Sequence, residues 1–580
     1  MITGGELLAR CLQTLGVQHV WGMPGHTNVA ALDRLLEVGI RYLSVRHEQV
    51  SAHAADGYFR ASHKPGVILV HNGPGLTNAL TGIGDAANDC SSVVVIAADT
   101  AVRHQGKDAF QEISLHSDAS QSDTFRPLVK RAWRVQEVAS LPDVLARAFN
   151  LCRTGRPGPV LVTIPMDLLS RRVALPMPDL GRRLLTPTPQ PRGDSAAIAR
   201  AAHLLVEAAR PVIHAGGGAI LSQSSEEVMA LAEDLAAPVT TTMAGKGAVP
   251  ESHPLSAGTT GRAGTPMANA FAAHADVVLA LGTQFPEQDS SSWHAGATFS
   301  IPPTRLIQVD LDPYQLGKIY PLSVGIVGDV RSVLRDLRVA VAELTPPRDW
   351  HIAPQTSEMA RQKDAWRASL EPLQSSSAMP IRPERLLATV RSVLPPEGIV
   401  VGDVGWGKNG VAQQYPAERP QTTFVASGYG TMGFAAAAAL GVRLARPDVP
   451  VISLTGDGGM SSLLSTLITG VEHNLAVVWV VFNNAAFGAI GDIQKHHFGR
   501  GVGCEFSRAD TGEIYSLDFA AIARACGAEG HRVIGPDELR PALVQALEAG
   551  RPYVLDVVVE RNAQYQPTGY WDVGDIYAGY

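Results

Sequence analysis

Short apolar runs alternate with helix-like patterns along most of the chain. Runs such as 67–70 and 477–482 are bounded by Gly, Pro or Asn, and their length is typical of buried strands. Between them, apolar residues recur every three or four positions, as they do in amphipathic helices. This alternation of strand and helix predicts parallel sheets that are covered by helices on both faces.

The predicted strands fall into three groups, separated by a Pro-rich stretch and a polar stretch. The predicted strands are 19–22, 41–45, 67–70, 93–97 and 160–164, then 211–214, 239–242, 277–281 and 305–309, then 398–401, 451–455, 477–482 and 553–559. The two separating stretches, 185–192 and 341–383, are typical of linkers. We therefore expect an α/β fold of three consecutive doubly wound parallel-sheet domains, over 1–184, 193–345 and 378–560, followed by an aromatic tail, 561–580, that is a candidate active-site lid.

Composition and charge exclude several classes of protein. Of the 580 residues, 45% are hydrophobic and 18% charged, which is typical of a folded globular chain. The net charge is −7, from 48 basic and 55 acidic residues, so we expect no general nucleic-acid binding. The apolar runs are far shorter than the ~20 residues that span a bilayer. Five cysteines without C-x-x-C spacing, and a start without a signal-peptide pattern, make the cytoplasm the expected compartment.

Two polar motifs of the third domain directly follow buried strands. The motif GDGG, which contains Asp457, follows the strand 451–455, and Asn484 follows the strand 477–482. Since the carboxyl ends of parallel strands meet at one edge, we expect Asp457 and Asn484 to lie close together. A carboxylate and an amide oxygen suit Mg²⁺, which often holds phosphates, and a helix N-terminus after the glycines would favour the same anion. Either motif alone is usually structural, so the pair carries the prediction.

This pair resembles the diphosphate-and-magnesium motif of thiamine-diphosphate enzymes. The resemblance implies that Asp457, Asn484 and the backbone carbonyl of Ala486 bind Mg²⁺, and that the surrounding segments bind thiamine diphosphate. The other implied cofactor contacts in these segments are Gly456, Gly458, Gly459, Met460, Phe487, Gly488 and Ala489.

Members of this family also need a glutamate beside the aminopyrimidine ring of the cofactor. Glu48 follows the predicted strand 41–45 and opens the predicted helix 49–61, which matches the context of that residue. On its own, a Glu in the first turn of a helix more often serves the helix dipole or cap. Beside the magnesium motif, the resemblance favours a catalytic Glu48 that helps the cofactor to deprotonate itself.

Three Gly-rich loops are similar to loops of the same family. They are 21–25 (WGMPG), 72–78 (NGPGLTN) and 430–434 (GTMGF), the last resembling the loop under the cofactor, where Met432 would hold the two rings in a V shape. The cofactor contacts that the resemblance implies here are Pro24, Gly25, Gly73, Asn78, Gly430 and Met432.

Within the family, the chain resembles the acetolactate-synthase-like group. The matching segments are 109–112 (AFQE), 155–160 (GRPGPV) and 164–167 (IPMD), and the resemblance covers nearly the whole chain. It implies active sites shared between subunits, in a homodimer or homotetramer. The central domain of this group binds FAD, ADP or no nucleotide, and the Gly-rich segments 214–218 and 245–247 leave all three open.

Some positions depart from the acetolactate synthase pattern. Ile493 stands where those enzymes carry a Trp that helps to choose the second substrate, and GWGKNG replaces their Gln-His-Gln loop. In that loop Lys408 and Asn409 are candidate diphosphate contacts, although Lys408 alone is equally typical of a surface lysine. His26 is a candidate acid or base, or a polar residue at a helix entry.

The expected substrate is a small 2-oxo acid, acyloin or 2-hydroxyacyl-CoA. The candidate catalytic residues besides Glu48 are His26 and Gln111. The candidate substrate pocket is formed by His26, Phe110, Gln111, Met432, Ile493 and Gln494.

Three functions follow from these observations. The first is acetolactate-synthase-like decarboxylation and carbon–carbon bond formation on 2-oxo acids. The second is a 2-hydroxyacyl-CoA lyase, suggested by the basic residues within 495–500, which are also typical of a solvated helix face. The third, from another class, is a non-catalytic relative that binds the cofactor as a regulatory or structural subunit.

Overall fold

Three parallel sheets with helices on both faces make up the structure, a computed structural model that describes residues 1–113, 120–174, 180, 183–185 and 188–577. The predicted fold class is confirmed. Residues 186–187 of the first predicted linker and 578–580 of the tail lie outside the described residues. In the described part of the chain, no helix combines the length and the apolar character that crossing a membrane requires.

The N-terminal unit begins with β1 (Ile2–Thr3). Its further strands are β2 (His19–Gly22), β3 (Arg41–Ser44), β4 (Gly66–Val70), β5 (Val93–Asp99), β6 (Ala132–Arg134), β7 (Val160–Pro165) and β8 (Arg172–Val173). Its helices are α1 (Gly4–Thr14), α2 (Val29–Glu37), α3 (Glu48–Ser62), α4 (Pro74–Asn88), α5 (Leu141–Arg153) and α6 (Met166–Ser170), with 3-10 turns at Val102–His104, Gln121–Phe125 and Val138–Ser140. The sheet order is β3-β2-β4-β5-β7-β6, all parallel, while β1 pairs with β8 antiparallel.

The central unit has the strand order of dinucleotide-binding folds. Its strands are β9 (Pro211–Ala215), β10 (Val239–Thr241), β11 (Ser256–Thr259), β12 (Val277–Leu281), β13 (Arg305–Asp310) and β14 (Val324–Val327). Its helices are α7 (Ser195–Glu207), α8 (Gly217–Leu221), α9 (Ser225–Leu235), α10 (Pro266–Ala273) and α11 (Val330–Leu344), with 3-10 turns at Gln288–Trp293 and Pro313–Gln315. The order β11-β10-β9-β12-β13-β14 reverses between β9 and β12, and ligands of such sheets bind at that reversal.

A long helix lies within the second predicted linker. The stretch 341–383 was predicted to be a linker without a helix being named in it, and α12 (Pro354–Gln374) occupies its middle. Met359, Lys363 and Leu370 are its buried residues, so a narrow stripe at helical spacing holds it against the central unit. The remaining surface of α12 contacts water, which explains its polar residues.

The C-terminal unit contains the remaining strands. They are β15 (Ile399–Gly402), β16 (Thr423–Val425), β17 (Val451–Gly456), β18 (Val477–Asn483), β19 (Glu529–Val533) and β20 (Tyr553–Val558). The helices are α13 (Pro383–Val393), α14 (Trp406–Gln414), α15 (Phe434–Ala445), α16 (Asp457–Ser462), α17 (Ser465–Glu472), α18 (Gly488–Phe498), α19 (Phe519–Ala525), α20 (Pro536–Glu548) and α21 (Val573–Tyr577). The parallel order β16-β15-β17-β18-β20-β19 repeats the topology of the N-terminal sheet.

The two similar units are joined by α3 and α15, which pack antiparallel. Arg60 at the end of α3 lies over the ring of Phe434 at the start of α15, 4.7 Å from its centroid. Further along, a Cβ added at Gly57 or at Gly441 would collide with the backbone of the facing helix. The small residues therefore allow the two helix backbones to approach closely.

Candidate active site

The sheet edges place the predicted loops at two equivalent positions. In the N-terminal sheet the strand order reverses between β2 and β4, so the loops after these strands diverge and leave a crevice. In the C-terminal sheet the reversal lies between β15 and β17. The predicted site segments 21–25 and 72–78 lie at the first crevice, and the loops around Lys408 and Asp457 lie at the second.

Glu48 is buried at the first crevice with one carboxylate oxygen unpaired. Its Oε2 accepts a hydrogen bond of 3.0 Å from Asn78 Nδ2, whereas Oε1 has no hydrogen-bond partner among the described residues. The helix is capped by His47, whose Nδ1 accepts from the Gln49 N–H. Since another residue caps α3, the Glu48 carboxylate is available for other chemistry.

The structure adds His71, which the sequence analysis missed. Its Nε2 lies 3.6 Å from Glu48 Oε1, and its Nδ1 is buried without a partner in the described chain. The ring stands between two glycines: a Cβ at Gly25 or at Gly75 would come within 2.5 or 2.6 Å of it. His71 directly follows a buried strand, the same context that singled out Asp457.

The predicted substrate-pocket residues of the N-terminal unit lie together beside these loops. The rings of His26 and Phe110 are 5.4 Å apart, and both side chains are exposed. Asn72 Nδ2 donates to the Phe110 carbonyl at 3.2 Å. Gln111 has a positive φ of 63°, and its carbonyl lies where a Cβ on Gly73 would be. Glycine is therefore required at position 73.

At the second crevice, Asp457 faces the turn that follows β18. The helix α16 begins at Asp457 itself, not after Gly459 as expected. Burial raises the pKa of the Asp457 carboxyl to about 6, while backbone N–H groups of Gly458 and of residues 484–486 oppose the rise. The predicted metal ligands Asp457, Asn484 and Ala486 are thus brought together.

The atoms at this position fit a hard cation. Asp457 Oδ1 accepts from the Gly458 N–H at 2.8 Å, but Oδ2 is buried and unpaired in the described residues. Asn484 Nδ2 donates to the Arg561 carbonyl at 3.2 Å, which leaves its amide oxygen for a ligand. Asn483 is structural instead, because it donates to Asp556 and to the Leu517 carbonyl. One carboxylate, an amide oxygen and carbonyls suit Mg²⁺ with phosphate and water.

Around this position, Gly458 packs against Phe487: a Cβ at Gly458 would collide with the ring. The predicted contacts Met460 and Gly459 are buried in α16, while Gly488 and Ala489 start α18. Gln494 Oε1 accepts from the Val502 N–H, and Ile493 beside it is half-buried.

The loop predicted to lie under the cofactor is held by Asp403, a second residue that the sequence analysis missed. Asp403 accepts from the Gly433 N–H at 2.9 Å and from Thr455 Oγ1 at 2.7 Å. Gly430 has a φ of 69° with open space around it, and Met432 is 42% exposed. An exposed methionine on an anchored loop suits contact with a ligand.

Lys408 is buried at the start of α14, and its pKa is lowered by burial. The charges that oppose this lowering are those of Asp289, Asp89 and Asp85. Asn409 Oδ1, next to it in the same helix, is buried and has no hydrogen-bond partner among the described residues. Lys408 is therefore not a surface lysine, and its contact with a diphosphate stays a prediction.

A cavity of about 340 Å³ opens at the strand reversal of the central sheet. Loops after β9 and β12 cross there so closely that a Cβ at Gly216 or Gly218 would collide with Gly282. Burial raises the pKa of Asp310, on its wall, to about 6. Further lining residues are Gly217, Thr283, Asp289, Asp329, Ser427 and Gly428.

The tail bridges two units. Trp406 Nε1 of α14 donates to the Ala563 carbonyl at 2.9 Å, and Trp571 Nε1 donates to Glu287 of the central unit at 3.0 Å. Its last described helix packs Tyr577 against the ring of His497, with centroids 5.5 Å apart. That the tail covers the active site stays a prediction.

The basic residues of 495–500 have partners or contact solvent. Lys495 pairs with Glu505 at 2.7 Å, and His496 and Arg500 are exposed. This arrangement is typical of a helix surface and gives the CoA-lyase alternative no specific support.

Comparison with known proteins agrees with the three-unit architecture. The N-terminal TPP-binding, central and C-terminal TPP-binding domain models of thiamine pyrophosphate enzymes match residues 2–121, 198–337 and 403–557. A probable acetolactate synthase large subunit of Methanocaldococcus jannaschii is 34% identical over 565 residues, 96% of this chain and 92% of that protein. The acetolactate synthase isozyme 3 large subunit of Escherichia coli is 33% identical over 581 residues, 98% of this chain and 96% of that protein.

Proposed function

The chain belongs to the acetolactate-synthase-like family of thiamine-diphosphate-dependent enzymes, and we propose that it decarboxylates a 2-oxo acid and joins the remaining fragment to a second carbonyl compound. The relatives are named as enzymes, which argues against the alternative of a non-catalytic cofactor-binding protein. The names of the relatives support the choice of 2-oxo acids as substrates. The observation that carries the proposal is the unpaired Oε1 of buried Glu48.

Thiamine diphosphate, when bound, supplies a nucleophilic carbon that adds to a substrate carbonyl and holds the electron pair after carbon dioxide leaves. The role of Glu48 is to exchange a proton with the aminopyrimidine ring through Oε1, while Asn78 holds Oε2. His26, Phe110 and Gln111 orient the substrate from the loops beside this crevice.

Mg²⁺ and the diphosphate are held at the second crevice. Asp457 Oδ2 and the Asn484 amide oxygen are the side-chain ligands, and the Ala486 carbonyl completes the protein set. The absence of side chains on Gly458 and Gly459 lets Phe487 and Asp403 pack against the start of α16.

The two halves of the site come from different subunits. In one chain, Glu48 begins α3, and Arg60, about 18 Å further along the helix, lies over Phe434 at the start of α15, two residues after Met432. Glu48 instead lies near the end of α17, where Arg46 pairs with Glu472 at 2.6 Å. A second copy in a homodimer or homotetramer supplies the missing half.

The central cavity binds a nucleotide, either FAD or ADP. The strand order of this unit, the crossing glycines after β9 and β12, and the cavity at that reversal support the proposal. The two nucleotides share the adenosine diphosphate part.

The test is reconstitution with thiamine diphosphate and Mg²⁺ and a Glu48→Gln variant, which keeps the bond from Asn78 but carries no transferable proton. We expect the variant to consume pyruvate at least about 100-fold more slowly, with unchanged thermal stability. Omission of Mg²⁺ should abolish turnover in the parent. A Glu48→Gln enzyme with parental turnover would contradict the proposed role.

A further inference from the structure

His71 lies next to Glu48, and the proposed function gives it no role. Its Nε2 is 3.6 Å from Glu48 Oε1, too long for a hydrogen bond but within ion-pair range. Oε1 is also the carboxylate oxygen that has no hydrogen-bond partner in the described structure. The imidazole therefore faces the atom to which the proposed chemistry assigns the proton.

In the ligand-free chain, bulk solvent does not reach the Glu48 side chain directly. Glu48 is 0% exposed, whereas His71 keeps 7% of its surface exposed. Among the described residues, the Asn78 amide, which does not titrate, bonds Glu48, and the Tyr42 hydroxyl is close enough for its pKa to be influenced by Glu48. Burial raises the pKa of Tyr42 above the physiological range, so this hydroxyl does not ionise at neutral pH.

The backbone fixes the imidazole in one place. A Cβ at Gly25 would lie 2.5 Å from the ring, and a Cβ at Gly75 would lie 2.6 Å from its Cδ2. Both glycines thus form the walls of a slot that fits a flat ring, and the slot holds His71 against Glu48. Glycine is therefore needed at both positions because a side chain would collide with the imidazole, and not only because of the conformation of the loop.

We propose that His71 is a positioning residue that passes a proton to Glu48, an inference that rests on the proposed function. The N–H proton of the His71 imidazolium moves from Nε2 to Oε1 of the Glu48 carboxylate. This leaves a neutral imidazole beside a neutral carboxylic acid, so no charge remains unpaired in the buried site. Glu48 then donates that proton to the cofactor ring, and His71 is protonated again from the solvent side.

The test compares His71→Gln and His71→Ala with the parent and with His19→Gln, a matched change of a half-buried histidine on β2. We expect both His71 variants to lower kcat about tenfold or more with little change in KM, and to lose one ionisation from the pH profile of kcat. The near-ultraviolet circular dichroism of bound thiamine diphosphate, which reports the ring tautomer, should lose the same pH dependence. His19→Gln should change neither.

Chemical rescue separates proton transfer from packing. His71→Ala leaves the slot between Gly25 and Gly75 empty, so added imidazole should restore kcat saturably, whereas His71→Gln fills the slot and should not respond. A His71→Gln enzyme with the parental pH profile and tautomer titration, together with no imidazole rescue of His71→Ala, would overturn the inference. If Glu48→Gln is inactive in the same assays, only the His71 inference fails; if Glu48→Gln is active, the proposed function fails.

Discussion

At the residue scale, Asp289 and Lys408 are buried residues of opposite charge. Asp289 Oδ2 accepts from the Met243 N–H at 3.2 Å, while Oδ1 is unpaired in the described part of the chain. Burial raises the pKa of Asp289 to about 7, and burial lowers that of Lys408. Two such groups at the junction of three units cost stability until a ligand or a proton compensates them.

Asp289 should make the stability of the ligand-free protein depend on pH. The unfolded carboxyl loses its proton near about pH 3.9, whereas the folded one keeps it to about pH 7. The folded state therefore binds more protons between these values, and its stability falls as pH rises through the window. Between pH 5 and 7.5, the free energy of unfolding of Asp289→Asn should fall less than that of the parent. The difference between the two falls, measured by urea unfolding, should be a few kcal/mol at most. Equal losses in the parent and Asp289→Asn, with exposed Asp510→Asn as the control, would contradict this.

Some site positions could be predicted because chemistry-bearing residues follow buried strands. Asp457 and Asn484 directly follow the buried strands β17 and β18, and Glu48 follows the partly exposed strand β3; the structure has all three at the carboxyl edges. His71 and Asp403 directly follow β4 and β15 in the same way but were missed, because they belong to no pattern of spaced residues. Their roles depend on tertiary neighbours such as Gly25 and Gly433, which sequence distance hides.

At the element scale, the strands were more predictable than the connections between them. The buried strands β5 and β18 carry apolar residues on both faces, so their runs are visible in the sequence. Edge strands such as β6 and β19 were missed because they are short or partly exposed. The helix α12 was missed because its buried stripe is narrow.

The close packing of α3 and α15 predicts a large cost for a single methyl group. In Gly441→Ala, the new Cβ would collide with the Ala54 carbonyl of the facing helix. We expect a loss of about 1–3 kcal/mol in the free energy of unfolding, since the backbones must separate. Gly535→Ala is the matched control, because its Cβ would be 3.9 Å from the nearest side-chain atom, Glu538 Oε1. Equal urea midpoints for the two variants would show that the helix pair is not tightly packed.

At the scale of the whole molecule, the repeated topology of the N- and C-terminal sheets makes two crevices, one at the strand reversal of each sheet. The antiparallel α3 and α15 hold Glu48 and Met432 at opposite ends of one helix pair. Under the proposed function, a second copy of the chain would complete each site. The positions of the strands along the chain could be predicted, but their order in each sheet could not. The order depends on which strands pair, and no local sequence pattern shows this.

Subunit mixing tests the shared site. Glu48→Gln and Asp457→Asn subunits should each be inactive alone, but a mixed dimer contains one intact site and one doubly altered site. With random exchange we expect recovery of about one quarter of the parental activity. Mixing Glu48→Gln subunits with subunits that carry both changes is the control, since every site then lacks Glu48. No recovery above this control would mean that each chain builds its own site.

The most direct test of the central claim is the carbon balance of pyruvate turnover by the parent enzyme with thiamine diphosphate and Mg²⁺. Joining of two pyruvate molecules releases one carbon dioxide for every two pyruvates consumed, and the remaining carbon appears in one hydroxy-keto acid. The account predicts this ratio, together with its loss in Glu48→Gln. One carbon dioxide per pyruvate with free aldehyde, or no pyruvate consumption beside cleavage of a 2-hydroxyacyl-CoA, would contradict it.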